Sequence, residues 1–245
     1  MRVLIVGATS GIAKECARIW AGKTGSQVEF LLVGRNQKGL ESVAADLRVR
    51  NPSSKVSTFS LDLADSARIS LLETELGALG SPDIALIAQG ELTDQELAQT
   101  SADALSKSVT VNATSVALFA ELAARLMPNG GKIAVIGSVA GDRGRRANYA
   151  YGASKAFLHT YVRGMQHRFA GTKVLPIIVK PGPTATPMTT ALAVSGKLAP
   201  ADSVAREIVS GIAKGKKTIY APGLWAVIML VVRMIPSPIF NKLNF

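Results

Sequence analysis

The sequence has a single cysteine, Cys16, among 245 residues. An intramolecular disulfide is excluded, no metal-ligand pattern forms around the thiol, and a reducing cytoplasmic compartment is expected. The two histidines, His159 and His167, lie on one predicted helix away from any Ser or Asp arrangement resembling a triad. They read as packing or surface residues, and no metal site is expected. Acidic residues are also scarce, 17 against 28 basic ones, for a net charge of +11. Such a balance points to nucleic acid, an anionic membrane or an anionic ligand. Aromatics make up only 5% of the residues. The two dense cationic groups, Arg143/Arg145/Arg146 and Lys214/Lys216/Lys217, lack the interleaved rings of a single-strand platform, so nucleic acid is not an expected partner. Two unbroken apolar runs are short. Val3 to Val6 is too short for a signal peptide, and Leu224 to Val232 too short to span a bilayer. Neither a low-complexity linker nor a solenoid repeat interrupts the chain.

What is present is a 48% hydrophobic composition with mean hydropathy +0.26, sufficient for one large packed domain over residues 1–245. Short apolar, β-branched runs at Val3–Val6, Val28–Val33, Val56–Leu61, Asp83–Ala88, Lys132–Ile136 and Val174–Val179 read as strands buried on both faces. They alternate with helical stretches, among them Ala13–Ala21, Ala67–Leu76 and one around Ala104–Met127. The pattern predicts an α/β fold, a single Rossmann-type doubly wound parallel sheet with helices on both faces.

The loops after these strands carry the candidate ligand residues. Gly7-Ala8-Thr9-Ser10-Gly11-Ile12-Ala13 joins a strand to a helix, the setting in which backbone N–H groups cradle a pyrophosphate. A plain tight turn is the alternative. Gly34-Arg35-Asn36 ends the second strand without an acidic residue, and Arg35 there favours NADP over NAD; a solvated strand end is the alternative. Asp62-Leu63 follows the third strand, with Asp62 placed to accept from an adenine amino group or to cap the next helix. Gly90 lets backbone approach a cofactor. Asn112, an amide inside an apolar helix, is either a satisfied structural residue or a holder of water. Pro181-Gly182-Pro183-Thr184-Ala185-Thr186-Pro187 forms a rigid loop, with Thr184 and Thr186 offering donors beside a nicotinamide.

Tyr151 and Lys155 stand four apart, on one face of a helix. An ammonium there is expected to lower the phenol's pKa from near 10 towards the range of a general acid/base. Alone, the pair also fits ordinary positions on a partly exposed helix. Ser138, at the end of the fifth strand, offers a hydroxyl to the carbonyl oxygen that Tyr151 would protonate.

Together these motifs resemble the short-chain dehydrogenase/reductase family over nearly the whole chain. The resemblance implies that Tyr151 is the acid/base and that Lys155 binds the nicotinamide ribose and lowers the Tyr151 pKa. It also implies that Ser138 orients the carbonyl, Asn112 holds a proton-relay water, and the coenzyme is NADP(H). Ala13 and Ala88-Gln89-Gly90 depart from the family's usual pattern. Gly141 to Tyr149, Lys180-Pro181-Gly182 and the stretch Tyr220 to Leu243 further resemble bacterial reductases of decaprenylphosphoryl-2-keto-pentofuranoses. That resemblance implies a phosphate-bearing, lipid-linked ketone and a flavin-dependent sugar oxidase as partner, in cell-envelope arabinose synthesis. Arg143, Arg145 and Arg146 suit phosphate by their guanidinium forks.

Residues 219–245 read as an apolar and basic C-terminal tail. Its apolar run with Trp225 and flanking cations suits an interfacial helix on the inner face of the cytoplasmic membrane, or packing against the sheet or a second subunit of a homo-oligomer. Two other functions remain in view, a reductase of a small or lipidic ketone such as a 3-oxoacyl or steroid-like one, and a nucleotide-sensing protein without turnover.

Overall fold

The structure, a computed structural model, describes residues 1–22, 27–190 and 198–243; the last two residues of the expected tail lie outside them. In chain order the strands are β1 (Arg2–Val6), β2 (Glu29–Gly34), β3 (Lys55–Ser60), β4 (Ile84–Ile87), β5 (Gly131–Ile136), β6 (Val174–Pro181), the short pair β7 (Thr184–Ala185) and β8 (Ala199–Pro200), and β9 (Thr218–Ala221). The helices are α1 (Gly11–Ala21), α2 (Gln37–Arg50), α3 (Ser66–Leu79), α4 (Gln95–Thr100), α5 (Ala102–Val109), α6 (Ser115–Leu126), α7 (Tyr149–Arg168), α8 (Pro187–Thr190), α9 (Ala201–Ala213), α10 (Leu224–Met234) and α11 (Ser237–Phe240).

Seven strands form one parallel sheet in the order β3-β2-β1-β4-β5-β6-β9. The central strand β1 pairs Val3 with Phe30 of β2 on one side and with Ile84 of β4 on the other. Its residues alternate between two cores. Val3 and Ile5 pack with α1, α2 and α9, while Leu4 and Val6 pack with α3, α6 and α7. A strand covered on both faces has no solvated side, which is why these runs are apolar throughout rather than alternating. The chain winds outward in opposite directions from β1 and β4, so their carboxyl ends leave a crevice at the switch point.

Two details differ from the sequence reading. A seventh strand exists: residues 219–221, read as the start of the tail, lie in β9, where Lys180 of β6 stands beside Tyr220. The predicted helix around Ala104–Met127 is divided by a π-helical turn, Thr110–Thr114, which contains Asn112. Residues 102–126 are, among the described residues, the stretch long and apolar enough to span a membrane, but 61% of its most apolar window is buried inside the protein. It is a core helix here.

Candidate active site

A cleft of about 1050 Å³ opens at the switch point, lined by the loops after β1, β2, β3, β4, β5 and β6. Its size exceeds that of a drug-sized ligand site and leaves room for a dinucleotide beside a second molecule.

The nucleotide end is built largely from backbone. Gly7 has φ of +75°, and a Cβ there would lie 2.5 Å from the Gln89 amide nitrogen, so only glycine lets the β1 loop meet the β4 loop. Ser10 occupies the N-cap of α1 without a side-chain cap bond, and the first turn has no acidic residue. Thr9, Ser10, Gly11 and Ile12 line the cleft, so the helix begins at its wall, an arrangement suited to an anion. Arg35 is exposed and also lines the cleft. Asn36 lines it too, yet its Oδ1 accepts from the Gly39 amide and caps α2. Asp62 does not cap α3; Asp65 does, and Asp62 instead accepts from the Ala64 amide while lining the cleft next to Leu63. These residues fit the adenosine and pyrophosphate of a dinucleotide.

At the cleft floor the Ser138 side chain stands close enough to the Tyr151 hydroxyl to favour its ionised form. Ser138 Oγ also accepts from the Ala140 amide, which fixes its rotamer at the start of a 3₁₀ turn, Val139–Gly141. Lys155 is buried, and its Nζ donates to the Ile136 carbonyl at 3.2 Å while standing 5.5 Å from the Tyr151 ring centroid. The expected lowering of the phenol's pKa is not found. Burial pushes Tyr151 up to about 12, opposed by Ser138, and burial brings Lys155 down to about 8. Loss of water from around the phenolate outweighs an ammonium turned toward a carbonyl. At neutral pH Tyr151 is therefore a protonated acid.

Asn112 is fully buried; its Oδ1 accepts from the Glu91 amide, and its Nδ2 has no partner among the described residues. A Cβ on Gly90 would lie 3.0 Å from that Oδ1 and 3.4 Å from Lys155 Nζ, so the Gly90 turn passes directly over both. An open donor beside a buried ammonium is a place for a bridging water, and a π-helical turn at a functional residue is a common arrangement.

The loop after β6 differs from expectation at one hydroxyl. Thr184 donates to the Gly182 carbonyl at 2.8 Å and is not open to a ligand through that hydrogen. Thr186 lines the cleft with Pro181 and Gly182, and receives the Thr189 hydroxyl at its backbone.

The three arginines separate. Arg145 lines the cleft, partly buried, and desolvation lowers its pKa. Arg143 turns the other way, donating to the Val232 and Ile235 carbonyls at 2.6 Å and stacking on Phe240 at 3.7 Å. Arg146 is exposed and does not line the cleft. Adjacency in sequence had grouped them; the loop's changing direction parts them.

Sequence reasoning missed the amides near Arg145. Asn148 Oδ1 and Gln95 Nε2 are buried without partners among the described residues, both residues line the cleft, and Gln95 Oε1 accepts from the Ala150 amide. Gln89 is buried, with neither side-chain polar atom paired among the described residues. Each such group costs about 1–3 kcal/mol when left unmade, so this is where a polar ligand or water is wanted. Only Gln89 carried a signal, as a departure from the family pattern.

A second buried polar group was also missed. Asp142 Oδ1 accepts from Lys180 Nζ at 2.5 Å, its Oδ2 accepts from the Tyr220 hydroxyl at 2.9 Å, and His159 Nδ1 lies 3.5 Å away. His159, read as a packing residue, is buried there, and desolvation with Lys180 nearby lowers its pKa to about 4 against the pull of Asp142. His167 is exposed in the last turn of α7.

Comparison with known proteins agrees with this geometry. A family model described as short chain dehydrogenase matches residues 1–195. An uncharacterized oxidoreductase of Mycobacterium tuberculosis is 32% identical over 248 residues, covering 98% of this chain and 96% of that protein. Another, from Streptomyces coelicolor, is 30% identical over 243 residues, with 98% and 95% covered. Among solved structures, a short-chain dehydrogenase from Sphingobium yanoikuyae in complex with NADPH aligns with TM-score 0.82 at 21% identity over 99% of this chain and 96% of that one, a likeness of fold. The family match over most of the sequence, with full-length relatives at this level of identity, makes the chain a member of the short-chain dehydrogenase family of oxidoreductases.

Proposed function

We propose that the protein reduces a ketone to a secondary alcohol with NADPH, and that the ketone is a phosphate-bearing, lipid-linked sugar, a polyprenylphosphoryl 2-keto-pentofuranose of cell-envelope arabinose synthesis. A flavin-dependent sugar oxidase would supply such a ketone, and the protein would act, as a homo-oligomer, peripherally at the inner face of the cytoplasmic membrane.

NADPH, when bound, supplies the hydride that reaches the carbonyl carbon. Arg35 would receive the 2′-phosphate, and Gly7, Thr9, Ser10, Gly11 and Ile12 the pyrophosphate. Ser138 donates to the carbonyl oxygen and Tyr151 gives that oxygen its proton, so negative charge never accumulates unmet. Lys155 sits below the phenol with Asn112 beside it, and a water on Asn112 Nδ2 would return the proton to Tyr151.

The observation that carries the substrate reading is Arg145 in the cleft with the unpaired amide atoms of Gln95 and Asn148 nearby. A cation meets a phosphate, and open amides meet ring hydroxyls. Arg145→Ala tests it in reductions of paired ketones with and without a phosphate. The expected loss in kcat/KM is at least about tenfold for the phosphate-bearing ketone, the size of one charged hydrogen bond, and slight for the neutral one. Equal losses would return the substrate to a small or lipidic ketone.

A further inference from the structure

Helix α10 has an unusual surface. Its eleven residues, LWAVIMLVVRM, include one charge, Arg233, and only Met229 is fully buried. Leu224, Val227, Leu230, Val231 and Met234 are exposed by 67%, 61%, 52%, 58% and 74%. At about 100° per residue these five fall on one half of the helix, with Arg233 and Ala226 at its border. Trp225, Ile228, Met229 and Val232 occupy the other half, which is the less exposed one. A helix apolar on every side belongs in a core or in lipid. Among the described residues the outward half is left mostly uncovered. Ile239 and Leu243, both exposed, extend the apolar surface beyond the helix.

Charge decides what covers it. After Glu207 the sequence has no acidic residue but five basic ones, Lys214, Lys216, Lys217, Arg233 and Lys242. Lys216 and Arg206 line the same crevice as Ala226, on the border of α10 that also holds Arg233, while the Glu207 carboxylate there accepts from the Gly223 amide. A second copy laid on this face by two-fold symmetry would bring Arg233 and Lys242 against their own kind with no carboxylate from this segment between them. An anionic bilayer supplies both missing complements, an acyl boundary for the apolar half and phosphates for the cationic border. Eleven helical residues reach about 16 Å, roughly half of a hydrocarbon core, so the helix would lie on the surface rather than cross it.

We propose that α10 and the residues following it dock flat on an anionic lipid bilayer. The face is joined to both walls of the cleft. Trp225 lies against Gly182, where a Cβ would stand 2.0 Å from the indole nitrogen, and Arg143, five residues after Ser138, holds the α10 carboxyl end. Docking therefore sets the cleft beside the lipid headgroups. The inference rests on the peripheral-membrane part of the proposed reading, and not on which ketone is reduced.

The test is flotation of the full chain with phosphatidylcholine vesicles, with and without phosphatidylglycerol. Binding only to the phosphatidylglycerol vesicles, weakened by added salt, is expected. Val227→Glu with Leu230→Glu should abolish it and leave reduction of a soluble, neutral ketone unchanged. Should that variant misfold, Lys216→Glu with Lys242→Glu, both at exposed positions, should lower the bound fraction several-fold. No flotation, equal flotation with both vesicles, or a dimer in sedimentation that Val227→Glu with Leu230→Glu splits in the absence of vesicle binding would each overturn the proposal. Loss of the phosphate preference without loss of flotation would sink the substrate reading alone.

Discussion

Helix α7 borders two buried polar groups that obey opposite rules. At Tyr151 and Lys155 the charge-bearing atoms meet a hydroxyl and a backbone carbonyl, with no carboxylate among their hydrogen-bond partners. One turn later His159 joins Asp142, Lys180 and Tyr220, where the Asp142 and Lys180 side chains are each 3% exposed and paired with one another. Burying a charge without a counter-charge destabilises a fold, while burying a satisfied pair is close to neutral. In the proposed function the first group is an expense retained for chemistry. The second is a tie between the loop after Ser138, α7, β6 and β9, and it holds the serine's loop in place from behind.

The comparison can be broken at either group. The largest effect is expected at Lys155→Met, with turnover falling by about 10²–10⁴, the range of one acid/base element. Its stability should move the other way. Burial holds the Lys155 pKa at about 8 against an ordinary 10.5, so the folded state carries a penalty that is full below pH 8 and fades as pH rises to 10.5. Denaturant unfolding at pH 7 should show the variant at least as stable as the parent; a marked loss would make Lys155 a structural residue.

Asp142→Asn should do the reverse, lowering unfolding free energy by about 3–5 kcal/mol because Lys180 is left as a buried, unpaired cation. Adding Lys180→Met should restore most of it. A single variant of unchanged stability would remove the tie.

A smaller effect belongs to His159. Its pKa falls from 6.5 to about 4 on folding, so between those values the unfolded chain binds a proton that the folded one refuses, and stability declines as pH drops. Unfolding midpoints of His159→Gln across this window should decline less steeply than those of the parent.

The contrast also marks what a sequence can carry. Buried parallel strands announce themselves through runs such as Val3–Val6, since both faces must be apolar. The edge strand β9 does not, because Thr218 is exposed and Tyr220 half-buried beside a lysine cluster. Tyr151, Lys155 and Ser138 were legible because helical spacing and strand ends fix their neighbours. Asp142, His159, Lys180 and Tyr220 were not, since they sit on four elements and meet only through the pairing of β6 with β9. The direction of the Tyr151 shift was also hidden, because spacing places a cation nearby but does not say how much water is lost.

In the proposed function the reaction belongs to Tyr151 and Lys155, which face no carboxylate, and not to the Asp142–Lys180 pair. Tyr151→Phe keeps the ring and deletes only the phenolic hydroxyl, and the decisive measurement sets its NADPH affinity beside its rate of ketone reduction. Unchanged NADPH binding with turnover lost is expected. Turnover near that of the parent would contradict it.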